Sequence, residues 1–171
     1  MKTLVIVDVQ NDFVSGSLGS AEAQAIIDPL CDLIRSWKGN IIVTLDTHGC
    51  DYLETREGQM LPVPHCVKPT QGWQLNNDVA EALSMKPRVR YVEKNTFGSF
   101  EIPKIISNFE TEEIVIVGLV LNICVISNAL ILRSKFNDIK ITVDTNCTAA
   151  TSEEDYDASI KILKSNHINV I

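Results

Sequence analysis

Three side chains capable of acid–base or nucleophilic chemistry stand at or just beyond apolar, β-branched stretches of the sequence. Asp8 ends the first such stretch, Lys94 ends the third, and Cys124 follows the fourth after a turn. Carboxyl and ammonium groups can move protons or balance charge, and a thiolate can attack a carbonyl carbon. A charge within a buried stretch is costly unless it has a partner. Asp8 is therefore a functional candidate, whereas capping or turn formation explains Asp12.

Cys124 occupies a position typical of a nucleophile. The residues before it predict a buried strand (114–117), a tight turn at Gly118 and the start of a helix. A helix N-terminus carries unpaired N–H groups and partial positive charge, which favour a thiolate over a thiol. The alternative is a structural cysteine packed among Ile123 and Val125, since free cysteines are often buried. This stretch alone leaves both interpretations open.

A second group of candidates follows the predicted strand 40–45. Asp46 and His48 stand two residues apart at its end, and His65 is the second of the chain's three histidines to fall in the same aperiodic segment. Two imidazoles and a carboxylate suit zinc, manganese or iron(II) with positions left for water and substrate. Ordinary loop histidines are the alternative, but their clustering beside a strand-end Asp favours a metal site. Glu57 is a candidate extra ligand.

Strand and helix patterns alternate along the whole chain, which predicts an α/β fold. We expect one domain (residues 1–171) built on an open, parallel, six-stranded sheet with helices on both faces. Pro29 should kink the first helix or lie just after its start. Cys147 is expected in a turn after the fifth strand. The predicted strands are 3–9, 40–45, 89–94, 114–117, 139–143 and 168–171, and the predicted helices are 21–37, 76–85, 102–109, 122–136 and 152–163.

The topology of such sheets brings the candidate residues together. Ligands bind at the carboxyl ends of parallel strands, where the strand order reverses. With the order 3-2-1-4-5-6, Asp8 and Cys124 face each other across the crevice, and Asp46 and Lys94 end the next two strands. Lys94 would otherwise be taken as a solvated charge. The sequence has neither GxGxxG after the first strand nor GxxxxGK[ST], so the usual nucleotide phosphate cradles are missing.

Composition narrows the range of partners and locations. The chain carries 15 basic and 22 acidic residues, a net charge of −7, without a Lys/Arg cluster, so we expect no nucleic-acid partner. Its first apolar segment is too short for a secretory or membrane-spanning segment, and we expect no membrane partner. Five cysteines without a CxxC pair argue against a disulfide framework or a zinc knuckle. We therefore predict a cytoplasmic protein, and we expect it to form a homo-oligomer.

Several motifs together resemble the isochorismatase-like cysteine hydrolases, in particular the nicotinamidase-like branch. Residues 7–13 resemble the opening motif of the family, residues 94–100 its lysine motif and residues 118–125 its nucleophile turn. Residues 46–48 and 64–67 are similar to the metal site of nicotinamidases. The motifs occur in the family's order and span nearly the whole chain.

The resemblance implies a role for each of these candidates. Asp8, Lys94 and Cys124 would be the catalytic triad, and a cis peptide at Leu119–Val120 would turn the N–H groups of Val120 and Cys124 into an oxyanion hole. The metal ligands would be Asp46, His48 and His65, with zinc the first expectation and manganese or iron as alternatives. Phe13 would pack on the ring of a bound substrate.

The implied function is hydrolysis of a small amide through a thioester, with nicotinamide as the favoured substrate. Another carboxamide or an N-carbamoyl compound is the first alternative. A non-enzymatic thiol or metal-binding redox sensor is an alternative of another class. The chain departs from the family pattern at Leu121 and Asn128, where threonine is usual, and at Pro62, where nicotinamidases typically have an aromatic residue.

Overall fold

The computed structural model describes residues 1–171 and places six parallel strands in one open sheet. The order across the sheet is β3-β2-β1-β4-β5-β6, which confirms the predicted order and puts its reversal between β1 and β4. The strands are β1 (Lys2–Val7), β2 (Asn40–Asp46), β3 (Val89–Lys94), β4 (Glu113–Leu119), β5 (Lys140–Ala149) and β6 (Asn169–Val170).

Helices cover both faces of the sheet, as predicted, because successive side chains of the central strands point to opposite sides. Leu4 and Ile6 of β1 enter one core, whereas Val5 and Val7 enter the other. The first core is covered by α1, α2, α3 and α5, and the second by α6, α7 and α8. The helices are α1 (Asn11–Val14), α2 (Ala21–Ala25), α3 (Ile27–Ser36), α4 (Arg56–Met60), α5 (Asn77–Ser84), α6 (Glu101–Ile106), α7 (Ile126–Lys135) and α8 (Glu153–Ser165). None of these helices combines the length and the apolar character needed to cross a membrane.

Two segments in the first half of the chain gain local detail from the structure. The predicted helix 21–37 is divided at Ile26, and its second part starts two residues before Pro29, which confirms the expectation for this proline. The aperiodic segment after β2 contains a 3₁₀ helix (Tyr52–Glu54) followed by α4. Thr55 caps α4 by accepting the N–H of Gly58, a local contact that apolar periodicity does not reveal.

The fifth strand is longer than predicted, and the expected turn around Cys147 is wrong. β5 continues to Ala149, and its pairing with β4 shifts register between Ile116 and Gly118. The irregularity leaves the polar residues 144–146 at the surface and returns Cys147 to the core. The polar sequence that resembles a turn therefore forms a β-bulge within the strand.

The pairing of β1 with β4 at the reversal of strand order depends on a glycine. Gly118 has a φ angle of +110°, and a Cβ atom there would lie 2.1 Å from the carbonyl oxygen of Val7. No other residue type suits this backbone without displacing β1. Asp8 is the first residue after β1 and has a φ angle of +50°, so the chain leaves the sheet at this residue. The two strands thus deliver Asp8 and the nucleophile turn to the same crevice.

Candidate active site

Asp8 is fully buried at the carboxyl end of β1, where β2 holds it. The Thr44 hydroxyl donates to Asp8 Oδ1 at 2.6 Å, and the Asp8 N–H in turn approaches the same hydroxyl at 3.2 Å. Sequence reasoning missed Thr44, because a threonine in a β-branched run looks like an ordinary strand residue. These contacts orient the carboxylate so that its second oxygen faces β3.

Lys94, the last residue of β3, lies close to candidate residues from three other segments. Its Nζ lies 2.6 Å from Asp8 Oδ2, 3.6 Å from Asp46 Oδ1 and 3.7 Å from Cys124 Sγ. The lysine is 6% exposed and the cysteine 5% exposed. The structure thus brings Asp8, Lys94 and Cys124 into one buried cluster.

Burial and charge set the protonation states in this cluster. Burial raises the pKa of Asp8, although the charge of Lys94 opposes this effect. Burial tends to lower the pKa of Lys94, but the charges of Asp8, Cys124 and Asp46 and the hydrogen bond with Asp8 together outweigh it, so the net shift is upward. Burial and the Asp8 charge raise the pKa of Cys124 well above its usual value. The expectation of a helix-stabilised thiolate is therefore wrong for the resting site, where the neutral thiol needs a base.

The nucleophile turn itself differs from the simple helix start that was predicted. Leu121–Val125 forms a π-helical turn, and α7 begins at Ile126. The Leu119–Val120 peptide is cis, as the family resemblance implied. On the outer side, Asn122 Nδ2 donates to the hydroxyl of Thr151 at 2.8 Å. This contact ties the turn to the segment before α8.

The predicted metal ligands lie together beside the same crevice. One ligand atom from each of Asp46, His48, Glu57 and His65 lies within 4.8 Å of the others. Asp46 Oδ2 is 3.0 Å from His48 Nε2 and 3.4 Å from His65 Nε2. Glu57 Oε1 lies 3.6 Å from His65 Nε2, and α4 supplies this carboxylate. Two imidazoles and two carboxylates form a donor set that fits a divalent metal ion.

Surrounding contacts orient the two imidazole rings for such a role. The Nδ1 atom of His65 lies 2.9 Å from the carbonyl oxygen of Val63, and a hydrogen bond there leaves Nε2 directed at the carboxylates. Tyr52 packs edge-on against both histidine rings, with centroids 4.8 and 5.0 Å away. Burial tends to lower the pKa of His65, but hydrogen bonds with Asp46 and Glu57 raise it to about 10. The cluster therefore attracts positive charge.

Residues of the opening motif support this cluster rather than merely forming a turn. The amide of Gln10 pairs with Asp46, accepting its N–H at 2.7 Å and donating to its carbonyl oxygen at 2.8 Å. Asp12 does not cap α1, whose N-cap is Gln10, but it accepts the N–H of Ser17 at 3.4 Å, which is the local turn contact that was the alternative. Its other oxygen accepts the N–H of Cys66 at 2.8 Å. Phe13 packs against the His65 ring, with centroids 5.4 Å apart. The run of polar residues after β1 is visible in the sequence and indicates a functional segment. The residues that these side chains contact are distant in sequence, so the contacts could not be predicted.

Known proteins with the same architecture place these observations in context. The chain matches the isochorismatase domain description over residues 2–171. It is 27% identical to the nicotinamidase of Saccharomyces cerevisiae, with 100% of this chain and 99% of that protein covered. The structure of a nicotinamidase/pyrazinamidase from Bacillus subtilis has a TM-score of 0.89 at 23% identity, covering 99% and 98% of the two chains. The structure of a pyrazinamidase of Pyrococcus horikoshii in complex with zinc has a TM-score of 0.85 at 24% identity, also covering 99% and 98% of the two chains.

The fold and the clustered side chains define an open α/β protein with its polar site at the reversal of strand order. The match over nearly the whole length identifies the family more narrowly. The chain belongs to the isochorismatase family.

Proposed function

We propose that this chain is a cysteine amidohydrolase that converts nicotinamide to nicotinate and ammonia through a thioester on Cys124. The observation that carries the proposal is the buried Asp8–Lys94–Cys124 cluster, with Lys94 Nζ 2.6 Å from the carboxylate and 3.7 Å from the sulfur. The cluster lies beside the side chains that could bind a metal ion (Asp46, His48, Glu57 and His65). This arrangement supports a small substrate that contacts both the metal ion and Cys124. The nicotinamidase of S. cerevisiae, similar along its whole length, supports the choice of amide.

Acylation begins with the neutral thiol of Cys124. Asp8 accepts the thiol proton, for which its raised pKa suits it, and Lys94 balances the charge on the carboxylate or thiolate. The sulfur attacks the amide carbon, and the N–H groups of Val120 and Cys124 stabilise the oxyanion. Asp8 then gives the proton to the leaving nitrogen. Ammonia departs as the C–N bond breaks, and the acyl group remains on sulfur.

Deacylation uses the same residues in reverse order. Asp8, again ionised, accepts a proton from a water molecule that attacks the thioester carbon. The oxyanion forms in the same N–H pair, and the C–S bond breaks as the proton returns to the sulfur. The product leaves as nicotinic acid, which loses its proton to solvent and becomes nicotinate, and the neutral thiol is restored for the next cycle.

Asp46, His48 and His65 are the proposed ligands of one divalent ion, and Glu57 is a candidate extra ligand. Zinc is the favoured ion because its sites commonly combine imidazole and carboxylate ligands. When bound, the ion supplies a Lewis-acidic charge that can hold the ring nitrogen of the substrate. Phe13, which packs beside His65, is the proposed contact for the substrate ring.

We expect one equivalent of zinc to remain with the wild-type protein after dialysis, as measured by elemental analysis. His65→Ala should lose most of this metal, since an imidazole buried among two carboxylates is removed. His167→Ala is the matched control, because this exposed histidine lies beyond α8. Glu57→Gln should weaken retention less than His65→Ala. If the wild type took up no zinc, or if His65→Ala retained as much zinc as the wild type, the proposed set of metal ligands would be wrong.

We expect nicotinamide and pyrazinamide to be hydrolysed with a kcat/KM on the order of 10² times that of benzamide or more, because benzamide lacks the ring nitrogen. Treatment with a chelator should reduce this preference. Pro62 is exposed and stands where nicotinamidases typically have an aromatic residue. We therefore expect a KM for nicotinamide above that of nicotinamidases with the aromatic residue, and a similar kcat. Steady-state kinetics with and without the metal provide the measurement. Equal kcat/KM for nicotinamide and benzamide would redirect the assignment to an aliphatic or N-carbamoyl amide.

The site does not favour the redox-sensor alternative. A sensor thiol is accessible and has a lowered pKa, whereas Cys124 is 5% exposed and its pKa is raised. We also propose a cytoplasmic location, in line with five cysteines that lack CxxC spacing. Homo-oligomer formation is a further proposal, which the exposed rings of Phe97 and Phe100 support as apolar surface for a second copy.

A further inference from the structure

The side chain of Asn128 connects two parts of the candidate active site that are distant in sequence. It is fully buried on α7 and contacts three backbone groups. Its Nδ2 donates to the carbonyl oxygen of Cys124 at 2.8 Å and to that of Phe97 at 3.2 Å. Its Oδ1 accepts the N–H of Ser99 at 2.9 Å. Because an N–H can only donate and a carbonyl can only accept, these partners fix the orientation of the amide.

The segment 95–100, which follows Lys94, rests directly on α7 between these hydrogen bonds. A Cβ atom on Gly98 would lie 2.5 Å from Ile131 Cδ1 and 3.2 Å from the backbone carbon of Ser127. This close packing is independent of the Asn128 amide. Packing and hydrogen bonding therefore hold the segment against the helix that follows the nucleophile turn.

We propose that Asn128 is a positioning residue that fixes the segment after Lys94 to the turn bearing Cys124, and so sets the placement of Lys94 relative to the sulfur. Its side chain bonds only backbone groups of these two segments and acts through both residues. The kinetic part of this proposal rests on the amidohydrolase function proposed above. The structural part, docking of residues 95–100, does not.

The test compares Asn128→Ala and Asn128→Leu with the wild type. Leucine fills a similar volume but bonds no backbone group, so it separates packing from hydrogen bonding. Both variants should lower kcat for nicotinamide by about 10- to 100-fold, since small displacements of reacting groups are costly, and change KM less than about threefold. Hydrogen–deuterium exchange in residues 95–100 should become faster, while exchange in β1 should stay slow. Ile168→Val, in the same core, is the control and should change neither quantity.

Retention of wild-type kcat and slow exchange by Asn128→Leu would overturn the proposal. If the wild type hydrolyses no amide, the exchange measurement still decides it. If Asn128→Ala and Asn128→Leu do not fold, Asn128→Thr provides the second test, because its single hydroxyl has one O–H and cannot donate to the carbonyl oxygens of both Cys124 and Phe97. This variant should also speed exchange in residues 95–100. Unchanged exchange in Asn128→Thr would contradict the proposal as well.

Discussion

Replacing Cys124 with alanine is expected to abolish ammonia release from nicotinamide. The proposed reaction has one nucleophile, and its removal should lower kcat by about 10⁶-fold, which is below the detection limit of most assays. The substitution removes only a buried sulfur atom, so the sheet and the metal-type cluster should remain intact. Ammonia assays and circular dichroism on the same preparation test both expectations.

Cys147→Ala is the matched control for this experiment. Its thiol is also buried, 2% exposed, but lies in the core on β5 rather than in the cluster with Lys94. A similar small loss of stability is expected from both variants, with activity retained in the control alone. Turnover by Cys124→Ala close to that of the wild type would mean that water attacks the amide directly.

Asp8→Asn is expected to damage both catalysis and stability. The amide cannot accept the thiol proton, so kcat should fall by about 10²- to 10⁴-fold. Lys94 also loses the carboxylate 2.6 Å from its Nζ, and breaking such a buried pair costs about 3–5 kcal/mol of unfolding free energy. Asp46 Oδ1, 3.6 Å from Nζ, should reduce this cost. Urea denaturation and steady-state kinetics measure the two effects.

A second substitution separates the two consequences of Asp8→Asn. Adding Lys94→Met removes the unpaired buried charge and keeps a chain of similar length, so the double variant should recover much of the lost stability. It should not recover activity, because both the base and the charge partner are missing. Restored turnover in the stable double variant would show that the single variant had lost its fold rather than its chemistry.

The strand pattern was predictable because β-branched runs alternate with helical periodicity, and the strand order was expected because it is a common one for such sheets. The order 3-2-1-4-5-6 then placed Asp8 and Cys124 across one crevice, with Asp46 and Lys94 beside them. Chemistry at the strand ends is visible in the sequence because a charge beside an apolar run has few structural explanations. The residues that orient it are less visible. Thr44, for example, looks like any strand threonine until its partner Asp8 is known.

Local deviations also escaped prediction, for physical reasons. The π-helical turn at Leu121–Val125 and the bulge in β5 depend on contacts between segments that pattern analysis treats separately. The raised pKa of Cys124 has the same origin, because burial and the charge of Asp8, which is distant in sequence, raise it. The position of Cys124 near a helix start therefore did not predict its protonation state. Burial of the thiol and the nearby carboxylate of Asp8 determine that state.

The most direct test of the account is product analysis of nicotinamide hydrolysis in the presence of hydroxylamine. A thioester on Cys124 would be intercepted by this small nucleophile, so nicotinohydroxamate should form at the expense of nicotinate as hydroxylamine increases. The Cys124→Ala variant should form neither product. Nicotinate as the sole product at every hydroxylamine concentration would contradict a thioester intermediate, and nicotinamide left unconsumed by the zinc-loaded protein would contradict the proposed activity itself.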